Sequence, residues 1–185
     1  QDTFLFSDTI GSNISFGAGD RSNRLEYNGQ YDGQRRRRGY DEQYVRRMAA
    51  IAGADGFISS MPDGYDTVVG ERGVGLSGGQ KQRLSLARAL ADNPSILIMD
   101  DTTSAVDMET EAEIQRHLRD LDEKKTIVTI AHRISSVKDS DLILVLEHGR
   151  IVERGTHDEL VASHGRYWQI YSKQLGVDAG RSQGF

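Results

Sequence analysis

The stretch Leu-Ser-Gly-Gly-Gln-Lys-Gln-Arg at residues 76–83 precedes a strongly helical run, Leu84–Ala91. Ser77 and Gln80 have the spacing of a capping box, in which the two side chains accept hydrogen bonds from each other's backbone N–H groups. The two glycines each cost about 1 kcal/mol relative to alanine, and a helix that accepts this cost usually has another group close to its backbone. Free N–H groups and the positive end of the helix dipole predict an anion site, most simply for phosphate. A glycine-rich helix start with nothing bound is the alternative.

Two apolar runs that end in polar residues follow this helix. Ile96–Met99 leads into the carboxylates Asp100 and Asp101, and Lys125–Ala131 leads into His132. An apolar strand without alternation is typical of a parallel sheet that is buried on both faces. Helices alternate with these strands, which predicts an α/β fold. Ligands of such folds bind at the carboxyl ends of strands, so we expect Asp100, Asp101 and His132 to gather at one edge.

Polar residues and glycine predict where further elements start and turn. Asp107 has the position of a helix N-cap, and the acidic first turn that follows it suits the helix dipole. Thr156 is expected to cap another helix in the same way. His148-Gly149 separates two short strand-like runs and therefore predicts the turn of a hairpin.

Length and composition exclude several classes of protein. A chain of 185 residues with 37% hydrophobic residues is sufficient for one domain with a core. The net charge of −5 argues against a nucleic-acid surface as the main function. The sequence has no cysteine, which excludes a disulfide framework and a cysteine-ligated zinc site. The longest apolar runs are too short to span a bilayer.

The order of these motifs resembles the ATP-binding cassette (ABC) family, the motor domain of ABC transporters. Leu76–Gln80 matches the signature motif, Ile96–Asp100 resembles the Walker B strand, Ser104–Asp107 resembles the D-loop, and His132 resembles the switch histidine. The resemblance covers nearly the whole chain except a stretch near residues 20–39. It implies ATP and Mg²⁺ as ligands. It also implies a partial P-loop NTPase core with a mostly parallel sheet, joined to an α-helical signature subdomain.

The resemblance also predicts how the chain is organised. We expect one partial domain over residues 1–185, with a helical subdomain at 40–93 that carries the signature motif. The Walker B, D-loop and switch-histidine core is expected at 94–175. Turn-forming pairs and low hydrophobicity predict a flexible insertion at 17–39 and a flexible tail at 176–185. The four consecutive arginines in that insertion are expected to be solvated, and contact with anionic lipid headgroups is the alternative.

The Walker A loop, with the pattern Gly-x-x-x-x-Gly-Lys-Ser/Thr, wraps the phosphates in this family. The sequence contains no Gly-Lys pair and therefore no such loop. It opens at Gln1, which resembles the family's Q-loop glutamine. We therefore expect the C-terminal part of a nucleotide-binding domain that lacks its Walker A half. We expect this piece to have no specific ATPase activity by itself.

The resemblance assigns catalytic roles to four residues. Asp100 would bind Mg²⁺ through a water, Gln1 would touch the Mg²⁺ or the attacking water, and His132 would contact the γ-phosphate. Asp101 stands where the family usually has the glutamate that polarises that water. Aspartate is shorter by about 1.5 Å, and a displacement near 1 Å can cost about a hundredfold in rate. We therefore expect a weak or non-hydrolytic site.

Further residues would act on partners. The resemblance implies a head-to-tail dimer in which ATP held mainly by a second nucleotide-binding domain contacts the signature residues Ser77, Gly78, Gly79 and Gln80. Ser104 and Asp107 would reach across this dimer, which is expected to be a heterodimer. Glu71 and Arg72 resemble the X-loop of ABC exporters and would contact the coupling helices of a transmembrane domain.

These observations predict the nucleotide-binding domain of an ABC exporter subunit at the cytoplasmic face of the cell membrane. ATP binding and hydrolysis would drive export of a substrate. A nucleotide-sensing regulatory half of a heterodimeric transporter, which binds ATP without hydrolysis, is the alternative that Asp101 supports. A DNA-repair or chromosome-associated ATPase is disfavoured, because the sequence contains no heptad run.

Overall fold

The structure is a computed structural model that describes residues 4–21, 40–70, 75–121 and 125–176. The chain divides into two compact units, unit 1 (Gln1–Val128) and unit 2 (Thr129–Phe185). Most of the predicted insertion and tail lie outside the described residues. At the start of the predicted insertion, Phe16–Arg21 forms a 3-10 helix in which Ala18 is buried.

Unit 1 is mostly helical. Its α-helices are α1 (Ile10–Ser15), α2 (Glu42–Ile51), α3 (Asp55–Ser59), α4 (Gly78–Ala91) and α5 (Met108–Arg119). A second 3-10 helix covers Gly64–Asp66. Its strands are β1 (Asp8–Thr9), β2 (Val68–Val69), β3 (Ile96–Asp100) and β4 (Thr126–Ile130), and the boundary between the units falls inside β4.

The core of unit 1 forms where α1 and α2 pack on α4. Arg83 of α4 strengthens this packing, because its guanidinium donates to the Gly53 carbonyl at 2.7 Å and lies over the Phe57 ring. Burial lowers the pKa of the Arg83 guanidinium. The largest fully buried side chains of this core are Leu5, Ile10, Ile14, Val45, Ile58, Tyr65, Leu84, Met99 and Ile114.

The α/β class is confirmed, and the sheet is more divided than predicted. The described residues form three two-stranded sheets rather than one mostly parallel sheet. β1 pairs with β2 in antiparallel fashion, and β3 pairs with β4. The segment that joins β3 to β4 contains α5, which gives the strand–helix–strand order expected from the sequence.

Strand β3 buries one face, which corrects the prediction that it is covered on both. Leu97 and Met99 are 4% and 2% exposed, whereas Ile96 and Ile98 are 60% and 66% exposed. The buried pair joins the core that also contains Ile114 of α5. An apolar run has the same sequence pattern whether one or two faces are covered, so only the packing of other elements distinguishes the two cases.

Unit 2 is built on a β-hairpin. Its strands are β5 (Ile143–Glu147) and β6 (Arg150–Gly155), and a bulge lies between Val145 and Leu146. The predicted turn at His148-Gly149 is confirmed, with φ angles of 49° and 75°. Two-residue turns with positive φ match the twist of antiparallel strands, which explains the histidine–glycine pair at this position.

Two helices pack on this hairpin. They are α6 (His157–Ala162) and α7 (Arg166–Leu175), and a 3-10 helix at Ile134–Ser136 precedes β5. Thr156 caps α6 as predicted, with its hydroxyl accepting from the Glu159 N–H and the Glu159 side chain accepting in return. The unit's core residues are Ile134, Ile143, Val145, Leu160 and Tyr167. None of the described helices in either unit is long and apolar enough to cross a membrane.

The start of α7 depends on a carboxylate from β6. Glu153 accepts hydrogen bonds from the backbone N–H groups of Arg166 and Tyr167, the latter at 2.8 Å. Gly165 permits this contact, because a Cβ at that position would lie 1.9 Å from a Glu153 carboxylate oxygen. A negative group at a helix N-terminus is also favoured by the helix dipole.

We predict that Gly165→Ala lowers the free energy of unfolding by about 1–2 kcal/mol, since the new methyl group displaces the Glu153 cap. Chemical denaturation of the 185-residue chain, followed by fluorescence of Trp168 on α7, measures the change. Gly56→Ala is the matched control, because a Cβ there meets nothing within 4 Å and the helix gains an alanine. Equal midpoints for Gly165→Ala and the parent chain would contradict the proposed cap.

Candidate functional site

The predicted capping box at the start of α4 is confirmed. The Ser77 hydroxyl accepts from the Gln80 N–H at 3.2 Å, and the Gln80 side chain accepts from the Ser77 N–H at 2.9 Å. Ser77 and Gly78 are exposed, and the first turn of α4 contains no acidic residue. The box uses the N–H of Gln80 and leaves those of Gly78 and Gly79 outside it. This helix start therefore has the charge and the exposed backbone that suit an anion.

The two glycines of this turn meet different surroundings. A Cβ on Gly79 would lie 2.6 Å from the Ala105 carbonyl oxygen, and Gly79 is buried. A Cβ on Gly78 would lie 3.5 Å from the Ala105 methyl group, an ordinary contact. The sequence predicted that another group approaches the glycine backbone. At Gly79 this group is the Ala105 carbonyl of the same chain. Gly78 is the glycine whose surface is open to a ligand.

Residues 101–107, hereafter the Asp101 loop, connect β3 to α5. Asp100 ends β3 and is exposed, and Asp101 follows with a φ of 50° in the left-handed region. Aspartate and asparagine tolerate this conformation better than other residues with side chains. The Asp101 carbonyl accepts hydrogen bonds from the Ser104 hydroxyl at 3.1 Å and from the Gln82 amide at 3.3 Å. The backbone that presents the Asp101 carboxylate is therefore held at its carbonyl.

The other end of the Asp101 loop is attached to α5. Asp107 caps this helix as predicted, and its carboxylate accepts from the Thr110 N–H and hydroxyl, both at 2.9 Å. These hydrogen bonds lower the pKa of Asp107. The Thr103 hydroxyl donates to the Glu111 carboxylate at 2.8 Å, and both residues are buried. Asp107 therefore has a local structural role in addition to the role across a dimer that the sequence predicted.

Not all predicted site residues lie in the same unit. The signature residues, Asp100, Asp101, Ser104 and Asp107 lie in unit 1, and His132 lies in unit 2. That His132 lies at the same sheet edge as Asp100 and Asp101 stays a prediction. His132 is exposed, and its carbonyl accepts from the Gln174 side chain at 2.8 Å, which also accepts from the Ile134 N–H at 2.9 Å. Gln174 therefore fixes the backbone beside His132.

Three predicted site residues lie outside the described part of the chain. They are Gln1, assigned to Mg²⁺ and the attacking water, and Glu71 and Arg72, assigned to coupling. Within the described residues, no cluster of three or more histidine, cysteine or acidic side chains is arranged to hold a metal ion. An exposed carboxylate such as Asp100 suits Mg²⁺, which keeps several waters and needs only one or two protein carboxylates.

Comparison with known proteins identifies the family. Residues 6–104, which are more than half of the chain, match the family described as "ABC transporter". The chain belongs to the ABC transporter family. This confirms the resemblance predicted from the signature and Walker B motifs.

Individual ABC proteins match over nearly the whole chain. It is 51% identical over 174 residues to an uncharacterized ABC transporter ATP-binding protein, YknU, of Bacillus subtilis, covering 94% of this chain and 26% of that protein. It is 42% identical over 176 residues to an ATP-dependent lipid A-core flippase of Aliivibrio fischeri, covering 95% and 27%.

A solved structure gives the same result. A bacterial Atm1-family ABC exporter with ATP bound matches with a TM-score of 0.78 and 40% identity, covering 99% of this chain and 28% of that one. The chain therefore spans about a quarter of the length of the relatives that it matches.

Two residues of this ABC chain shape the site without belonging to the family motifs, and neither was predicted from the sequence. Gln82 contacts the Asp101 loop, and Glu111 anchors Thr103. Helical spacing was the available signal for Gln82, since it lies three residues after Gly79 and so on the same face of α4. Nothing in the sequence distinguishes Glu111 from other acids in the first turn of α5.

We predict that Gly79→Ala destabilises this ABC chain by about 1–3 kcal/mol, since the added methyl group must displace the Ala105 carbonyl. Gly78→Ala is the matched control, because its methyl group meets only an ordinary contact and the helix gains an alanine. Thermal denaturation of both variants measures the difference. Equal unfolding temperatures for the two variants would mean that α4 can move away from the Asp101 loop without loss of stability.

Proposed function

We propose that this chain is part of the nucleotide-binding domain of an ABC exporter subunit, in which ATP binding and hydrolysis drive export across a membrane. The observation that carries the proposal is the exposed, acid-free start of α4, which is held against the loop that presents Asp101. The start of a 14-residue helix supplies N–H groups for a phosphate, and the end of β3 supplies carboxylates for a metal and a water.

Export is supported by relatives that cover nearly the whole chain. The relative from Aliivibrio fischeri is named a lipid A-core flippase, and the solved structure is named an ABC exporter, at 42% and 40% identity. These relatives are about four times as long as the chain, so the membrane-spanning helices and the substrate specificity would lie in other parts of the protein. The domain would then work at the cytoplasmic face of the cell membrane.

The described residues fit ATP and Mg²⁺ by their chemistry. Bound Mg²⁺ would neutralise charge on the phosphates during transfer. Asp100 would orient a water of the Mg²⁺ shell, and Asp101 would accept a hydrogen bond from the attacking water and polarise it. His132 would donate a hydrogen bond to the γ-phosphate. Gln1, which lies outside the described residues, would contact the Mg²⁺ or the attacking water.

The partner contacts are proposed from the resemblance of the motifs to the ABC family. Ser77, Gly78 and Gln80 would contact the γ-phosphate of ATP held mainly by a second nucleotide-binding domain in a head-to-tail dimer, and Gly79 would add its N–H. Ser104 and Asp107 are both exposed, as residues that reach a second domain must be. Glu71 and Arg72 would contact the coupling helices of the transmembrane domain.

We predict that Asp100→Asn lowers Mg²⁺-dependent ATP turnover of the full-length protein by about 10–100-fold, because the amide holds the Mg²⁺ water shell less firmly than the carboxylate. Phosphate release measures turnover. Asp92→Asn, at an exposed position after α4, is the matched control and should leave turnover unchanged. Full turnover in Asp100→Asn would reject the proposed metal role, and absence of turnover in the parent protein would reject the proposed ATPase.

The site that contains Asp101 is proposed to be slow. Its carboxylate is shorter by one methylene than the glutamate found in most of the family, and this reach matters because the attacking water must be aligned closely. If the shortened carboxylate abolishes hydrolysis entirely, the subunit instead acts as a regulatory half that binds ATP and signals its presence. The site that hydrolyses ATP rapidly would then be built on the catalytic residues of the partner in a heterodimer.

We predict that Asp101→Glu raises ATP turnover of the full-length protein at least about tenfold, because the longer side chain reaches the water. Single-turnover hydrolysis measures this step directly. Asp101→Asn is the matched control, since it keeps the shape and the left-handed backbone but loses the charge, and it should lower turnover. Unchanged hydrolysis in Asp101→Glu would favour the regulatory role over a slow enzyme.

A further inference from the structure

Gln82 lies on α4 and uses both ends of its side-chain amide on the Asp101 loop. Its Nε2 donates to the Asp101 carbonyl at 3.3 Å and to the Ser104 hydroxyl at 3.1 Å. Its Oε1 accepts from the Ala105 N–H at 3.0 Å. One half-buried side chain therefore binds three successive sites along the loop, and two of these are backbone groups.

The contact of Gln82 is continuous with that of Gly79. These residues are three positions apart and so lie on one face of α4. Gly79 packs against the Ala105 carbonyl, and Gln82 binds the Ala105 N–H, so both polar groups of the Ala105 backbone face this helix. The start of α4 and the Asp101 loop are therefore in direct contact within unit 1.

This contact supports the left-handed backbone conformation of Asp101. A non-glycine residue in the left-handed region persists only where its surroundings hold it. Gln82 and Ser104 both donate to the Asp101 carbonyl, so they fix the peptide that follows the left-handed residue. From the other side, the buried pair of Thr103 and Glu111 ties the same loop to α5.

We propose that Gln82 is a positioning residue that holds the Asp101 carboxylate at a fixed place relative to the start of α4. This inference rests on the proposed function, because the aim of the positioning is alignment of the attacking water. In this proposal Gln82 acts through the Asp101 backbone, to which its side chain donates a hydrogen bond. A carboxylate that is free to shift by about 1 Å loses up to about a hundredfold in rate, which sets the size of the expected effect.

Two substitutions separate the parts of this contact. Gln82→Met keeps the length and the helix propensity of glutamine but removes all three hydrogen bonds. Gln82→Glu keeps an acceptor for the Ala105 N–H but loses the donor to the Asp101 carbonyl and to the Ser104 hydroxyl. The matched control is Gln43→Met on α2, whose exposed side chain is not part of the loop contact.

The experiment has two readouts on the full-length protein. Hydrogen–deuterium exchange of the peptide that spans residues 101–107 reports whether the loop is held, and this readout needs no ATP turnover. Steady-state kinetics report kcat and KM for ATP. We expect Gln82→Met to exchange about tenfold faster at this peptide and to lower kcat by about 10–100-fold, with KM and the unfolding temperature close to those of Gln43→Met.

Gln82→Glu should keep the part of the exchange protection that depends on the Ala105 N–H and should still lower kcat, which a merely structural role does not predict. Unchanged exchange in Gln82→Met would overturn the inference, and so would faster exchange with an unchanged kcat. A parent protein without Asp100-dependent turnover rejects the proposed ATPase, and the exchange result alone then decides whether Gln82 holds the loop.

Discussion

The contact between the start of α4 and the Ala105 backbone is the constraint on which the candidate site depends. A Cβ on Gly79 would lie 2.6 Å from the Ala105 carbonyl oxygen, so only glycine allows this approach. The same helix face carries Gln82, which binds the Ala105 N–H and the Asp101 carbonyl. A helix start suited to an anion and the loop that presents the Asp101 carboxylate are thereby placed side by side.

This arrangement explains why glycines that weaken a helix are found in its first turn. Gly78 keeps the backbone exposed to a ligand, and Gly79 lets the helix approach the Asp101 loop. The capping box of Ser77 and Gln80 offsets part of the helix cost, because two backbone N–H groups gain partners. The exposed backbone of the helix start is therefore found at Gly78, and the internal packing of this turn is found at Gly79.

The sequence predicted the locally determined parts of the fold and of the site. The capping box of α4, the Asp107 cap of α5 and the His148-Gly149 turn were all expected and all observed. Each depends on hydrogen bonds or backbone angles within a few residues, so the local pattern is sufficient. The exposure of Ile96 and Ile98 was not expected, because it depends on which other elements cover β3.

The sequence by itself determined the family and the residues that carry its motifs, because these motifs are short and keep a fixed order along the chain. The tertiary structure decided which neighbour each of these residues meets. It placed Gly79 against Ala105 and gave Gln82 its three partners, which lie 19 to 23 residues away along the chain. Contacts over such separations arise from the packing of α4 on the Asp101 loop, and no local pattern specifies them.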